Sequence, residues 1–209
     1  MYCIISLPRS ASTYTWHLLN QSLMFQNPLY SSIGKFSAFN PRSYNKEQIE
    51  DRFKKIMSSS PLPLIKIISS HDFNMVTRII ESEYKTIFIY PEDLRKQILK
   101  VLVAKQTDTF LDKSKRKKYT GSLVITKQEI IQRLQHYTEH MTFRYECDYQ
   151  FSDRYIINNS EEFMNIIQLP YMGTKYKYEP YEIKDEDMLE DIDAFNQLYD
   201  DCLQQENLI

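Results

Sequence analysis

Along the chain, short apolar runs alternate with longer stretches in which apolar residues recur every three or four positions. The first run, Tyr2 to Ile5, breaks at Pro8 into a hydroxyl-rich, basic turn, and an apolar face then begins at Trp16, Leu19 and Leu23 with helical spacing. This predicts a strand over residues 2–7, a tight loop, and a helix over residues 12–26. Asn45 opens a second helix, with Ile49, Phe53, Ile56 and Met57 on one face, which residues 58–63 end. Leu64 to Ile68, interrupted by Lys66, predicts the second strand, and Met75, Val76, Ile79 and Ile80 predict the helix after it. Lys85 to Tyr90 is the third strand. Pro91 suits the first position of the next helix, with Glu92 and Asp93 in its first turn and Leu94, Ile98, Val101 and Leu102 facing inward. Thr126 and Glu129 form a capping box before Ile130, Ile131, Leu134, Tyr137 and Met141. Arg154 to Asn158 predicts a fourth strand, Ser160 the cap of a helix containing Phe163, Ile166 and Ile167, and residues 187–202 a closing amphipathic helix.

Strands that alternate with helices imply an α/β class, here a three-layer α/β/α arrangement with a mostly parallel central sheet covered on both faces. In such sheets ligands bind outside the carboxyl ends of the strands. No repeat or linker-like boundary interrupts the 209 residues, so a single domain over residues 1–209 is expected.

Composition narrows the function classes. The formal net charge of -2 gives no global electrostatic case for nucleic acid. Cys3, Cys147 and Cys202 are odd in number and far apart, which indicates neither a disulfide framework nor a zinc knuckle and fits a reduced, cytoplasmic setting. No signal peptide is visible, and no apolar run approaches the roughly 18 residues that span a bilayer, so stable membrane insertion is not expected. Only three glycines occur, where an average usage of about 7% would give about fifteen.

The turn after the first strand holds the candidate chemistry. A loop between a strand and a helix start points backbone N–H groups and the positive end of the helix dipole at one spot, which suits a phosphate or sulfate. Arg9 adds a cation, while Ser10, Ser12 and Thr13 add hydroxyl donors. An ordinary turn capped by Ser or Thr would present the same residues. No G-x-x-x-x-G-K-[ST] pattern occurs in the chain, so the turn is not a Walker A loop.

Pro8, Arg9, Ser10, Ala11, Ser12 and Thr13, with Trp16 nearby, resemble the 5′-phosphosulfate-binding loop of sulfotransferases that use 3′-phosphoadenosine 5′-phosphosulfate (PAPS), P-[KR]-S-G-[ST]-T-x-[WL], with Ala11 in the glycine position. The resemblance implies a sulfotransferase fold, related to P-loop NTPases, and transfer of a sulfuryl group from PAPS to a hydroxyl of a carbohydrate, lipid or small metabolite without a metal. It implies that Arg9 stabilises the leaving phosphate. Lys66 and His71 resemble the family's K-[TL]-H segment at longer spacing, which implies that His71 is the base that deprotonates the acceptor. A capping or surface role for His71 beside Asp72 is the other reading. Residues 91–109 resemble the trehalose 2-sulfotransferase-like branch through Asp93, Gln97 and the pair Gln106-Thr107. Family members hold the 3′-phosphate of PAPS at this junction, which implies a nucleotide site that includes Tyr90, Arg95 and Lys100. In that register Glu92 and Lys100 stand where the family has its arginine and serine. Either Arg95, Lys100 or the basic run after them substitutes, or the donor is not PAPS, or the chain is a catalytically degenerate, nucleotide- or anion-binding relative.

Three other stretches stay open between two readings. Residues 27–44 form a long loop whose Lys35, Phe36, Phe39 and Arg42 either contact an acceptor or are a solvated connector. The run Asp112 to Tyr119 is either a solvated face or an electrostatic funnel for a polyanion. His136 and His140 share a helix face at a metal-compatible spacing, but lack the glutamate of an H-E-x-x-H motif.

Overall fold

The computed structural model describes residues 1–27, 45–60, 63–68, 73–108, 123–174, 176 and 188–205. Four strands, β1 (Tyr2–Ser6), β2 (Ile65–Ile68), β3 (Lys85–Tyr90) and β4 (Tyr149–Ser152), form an all-parallel sheet in the order β2-β1-β3-β4. The helices are α1 (Ser12–Gln26), α2 (Lys46–Met57), α3 (Phe73–Ile80), α4 (Leu94–Gln106), α5 (Lys127–Thr142), α6 (Asp153–Asn158), α7 (Ser160–Ile166) and α8 (Ile192–Gln205). The expected α/β class, with a parallel sheet flanked by helices, is the one the chain adopts.

The chain divides into two compact units. Met1–Glu92 with Glu139–Tyr178 makes the first, and Asp93–Thr138 with Glu179–Ile209 the second. In the first unit β1 is buried along its whole length, because alternate side chains enter opposite cores. Tyr2 and Ile4 join Ile87 and Ile89 of β3 on one face, under Trp16, Leu18, Leu19 and Leu23 of α1, Ile156 of α6 and Phe163 of α7. Cys3 and Ile5 join Phe88 on the other, under Ile49 and Ile56 of α2 and Met75, Val76 and Ile79 of α3. Register keeps the strand ends level: Ser6 lies opposite Ile68 and Ile89, and Tyr90 opposite Ser152. Every strand therefore delivers its next residues to one rim.

In the second unit Ile98 and Leu102 of α4, Leu134 of α5, and Phe195, Tyr199 and Cys202 of α8 form a separate core. Leu123 bridges to Leu189 there. Among the described residues no helix is long and apolar enough to cross a membrane.

Three sequence expectations are corrected. The fourth strand is Tyr149–Ser152, and Arg154 to Asn158 lies within α6. The Ser152 hydroxyl accepts from the Tyr155 amide at 3.1 Å, and this cap turns the chain into a helix before the apolar pair Ile156-Ile157 is reached. Pro91 precedes the helix rather than opening it: Asp93 is the N-cap of α4, its carboxylate accepting from the Lys96 amide at 2.9 Å. Ser160 is inside α7, where its hydroxyl donates to the Ile156 carbonyl at 2.8 Å. The cap at Asn45 is as expected, with its side chain accepting from the Gln48 amide at 2.9 Å.

Candidate functional site

The turn between β1 and α1 is built on strained backbone. Arg9 (φ 65) and Ala11 (φ 50) both occupy the left-handed region, which residues with a Cβ adopt at a cost of roughly 1–2 kcal/mol. Both fall in the turn from Leu7 to Ala11 that joins β1 to α1. Ala11 is the residue before the helix, so it offers no side chain to the first-turn amides, and that turn contains no acidic residue. Ser10 is fully buried, and its hydroxyl has no hydrogen-bond partner among the described residues. An unmet buried hydroxyl costs on the order of 1–3 kcal/mol, so the turn carries both strain and an unsatisfied donor.

Lys66 completes this turn from the neighbouring strand. It lies opposite Ile4 in the sheet and is only 8% exposed, and its ammonium donates to the Thr13 hydroxyl at 3.1 Å. Burial lowers its pKa from 10.5 to about 8. A buried cation beside the positive end of a helix, with no carboxylate to neutralise it among the described residues, is the electrostatic complement of an anion. Pro8 to Ala11 lie in the turn between β1 and α1, and Ser12 and Thr13 in the first turn of α1, where Lys66 reaches Thr13. Lys66, which in the sequence carries only the resemblance to a K-[TL]-H segment and no role in this turn, joins it through Thr13. The signal for it is a lone lysine inside the apolar run L-I-K-I-I, where a buried parallel strand has no ordinary use for a charge.

At the β3–β4 end of the same rim, carboxylates are tied to an arginine, a serine and backbone amides. Glu92 accepts from the Ser152 hydroxyl at 3.2 Å and from Arg154 at 3.3 Å, while Asp153 accepts from the amides of Glu92 (3.0 Å) and Arg154 (2.8 Å). Tyr90, a predicted nucleotide contact, packs against Phe88 and under the guanidinium of Arg144. Arg95 and Lys100 belong to the second unit, where Arg95 binds Asp200 and Asn196 and lies over the ring of Tyr199. His71, Lys35, Phe36, Phe39, Arg42 and the run from Asp112 to Tyr119 lie outside the described residues.

Tyr14 extends the first unit's site sideways. Its hydroxyl is 2.8 Å from that of Ser160, and an open cleft of ≈ 530 Å³ runs from it past Asn159, Glu161, Asn165 and Tyr171. His140 serves packing: it is buried, stacked on Phe88, with Nε2 2.9 Å from the Ile89 carbonyl. Burial lowers its pKa to about 4 despite that hydrogen bond. Among the described residues no group of three or more His, Cys, Asp or Glu side chains converges on a metal site. Comparison of the chain with protein-family models, with curated proteins and with solved structures finds no match.

Proposed function

We propose that the protein is a sulfotransferase with a three-layer, P-loop-like sulfotransferase fold. It would move a sulfuryl group from a nucleotide phosphosulfate, PAPS by the resemblance, to a hydroxyl of a carbohydrate, lipid or small metabolite. The observation that supports this most is Lys66, a buried cation hydrogen-bonded to Thr13, and without a carboxylate partner among the described residues, in the turn that resembles a phosphosulfate loop. The S–O bond to the donor phosphate breaks as the acceptor oxygen bonds to sulfur, and negative charge grows on the leaving phosphate. Arg9, Lys66 and the amides at the start of α1 would stabilise that charge. Ser12 and Thr13 would hold the phosphosulfate, and His71 would take the proton of the acceptor. The cleft beside Tyr14 has room for the remainder of a substrate. The three cysteines are free thiols and buried, in keeping with a cytoplasmic setting.

A sulfate-transfer assay tests the reading: Arg9→Ala should lower the rate at least roughly tenfold, the low end for losing a charge contact in the transition state. An unchanged rate would contradict it. One observation favours a second reading, a degenerate anion-binding relative. Glu92, where the resemblance expects an arginine, is committed to Arg154 and Ser152. That relative would bind nucleotide or sulfate with no transfer.

A further inference from the structure

The join between α6 and α7 carries the run N-N-S-E-E, residues 158–162, and stands against α1. Asn158 closes α6, and Asn159 leaves helical geometry (φ -126, ψ 44) while its amide donates to the Tyr155 carbonyl at 2.8 Å, so the chain turns a corner into α7. Opposite the corner, Tyr14 of α1 is fixed by Ser160. Because the Ser160 hydroxyl donates to the Ile156 carbonyl at 2.8 Å, the Tyr14 hydroxyl is the donor in the 2.8 Å pair between the two side chains. These walls bound an open cleft of ≈ 530 Å³, within the range of about 300–1,000 Å³ that holds small organic ligands. Every described residue that lines it lies in the first unit.

The lining is made of amides, carboxylates and tyrosines. Asn158, Glu161 and Asn165 are exposed and make no side-chain hydrogen bond among the described residues, so their donors and acceptors are open to a ligand in the cleft. Tyr171, 42% exposed, adds an aromatic ring to the lining. We infer that the cleft binds an uncharged, polyhydroxylated ligand, a mono- or disaccharide. An asparagine amide offers donors and an acceptor at once and Glu161 offers acceptors, a mixture that the hydroxyls of a sugar, each both donor and acceptor, can meet in full. Tyr14 and Tyr171 supply apolar ring area for the C–H faces of the same sugar. An ammonium ligand has donors alone and would leave the asparagine donors unmatched, while an anion would meet the like charges of Glu161 and Glu162. Thr13 of the proposed anion site directly precedes Tyr14, so the saccharide would be the acceptor of the proposed transfer. That role rests on the reading of the Pro8–Thr13 turn, and the binding does not.

Saturation-transfer NMR of the full chain with neutral sugars (glucose, galactose, mannose, maltose and sucrose), with putrescine and with glucuronate tests it. At least one neutral sugar is expected to bind at millimolar concentration or below, and more tightly than putrescine or glucuronate. Asn165→Ala and Tyr171→Ala, both at exposed positions, should each weaken it roughly fivefold or more, the worth of one good contact. Binding of none of these sugars at millimolar concentration, tighter binding of putrescine or glucuronate, or sugar binding that neither variant weakens overturns the inference. Calorimetry with sulfate on the same chain reads the turn separately. Sugar binding without sulfate binding contradicts the reading of the turn and leaves the cleft assigned, and sulfate binding without sugar binding does the reverse.

Discussion

Replacing Lys66 by Met should make the ligand-free protein more stable and the site useless. A fall in the pKa of Lys66 from 10.5 to about 8 corresponds to about 3 kcal/mol of stability lost to burying its charge. The unfolded chain keeps this proton up to 10.5, whereas the folded chain gives it up near 8. Between those values the unfolded state binds more protons, so stability rises with pH; below about 8 the full penalty applies. Met has similar length and no charge, and its gain is offset by the lost hydrogen bond to Thr13, worth about 1 kcal/mol. The net expectation at pH 7 is a variant about 1–2 kcal/mol more stable, with the rise above pH 8 absent. Urea denaturation followed by the fluorescence of Trp16, the single tryptophan and a buried one, measures both. Sulfate should raise the midpoint of the wild-type chain by mass action and leave that of Lys66→Met unmoved. A variant that is less stable at pH 7 and still responds to sulfate would refute the reasoning, because Lys66 would then be structural.

Two further outcomes follow from local geometry. Ala11→Gly should raise the thermal midpoint, by about 0.5–1 kcal/mol of stability, because glycine adopts φ 50 without the Cβ penalty that Ala11 bears. His140 is held neutral down to about pH 4, while the unfolded chain takes up that proton at 6.5. Stability should therefore fall by about 3 kcal/mol as pH drops from 6.5 to 4, and His140→Phe should flatten that slope in urea titrations at successive pH values.

What the sequence made legible was local. The β1–turn–α1 unit could be read because the apolar run, the proline and the helical spacing of Trp16, Leu19 and Leu23 all lie within a few turns of one another. The left-handed Ala11 was foreshadowed by a family pattern that has glycine there. The sequence misplaces the fourth strand because R-Y-I-I-N is a short apolar run that suits strand and helix equally, and the Ser152 cap decides between them. Lys66 stood out as a charge in an apolar strand, but its partner Thr13 is 53 residues away and reaches it only through the pairing of β1 with β2. The engagement of Glu92 by Ser152 and Arg154 likewise depends on the β3–β4 register, which a strand placed at Arg154 to Asn158 would have shifted.

The central claim is that the turn from Pro8 to Thr13, with Lys66 behind it, binds the phosphate end of a nucleotide. Calorimetry with adenosine 5′-monophosphate and the 3′,5′-bisphosphate, on the wild-type chain and on Arg9→Ala and Lys66→Met, tests it most directly. Micromolar binding of at least one nucleotide by the wild type, weakened in both variants, is the predicted result. Binding of neither nucleotide at millimolar concentration, or affinities that both variants leave unchanged, would contradict it.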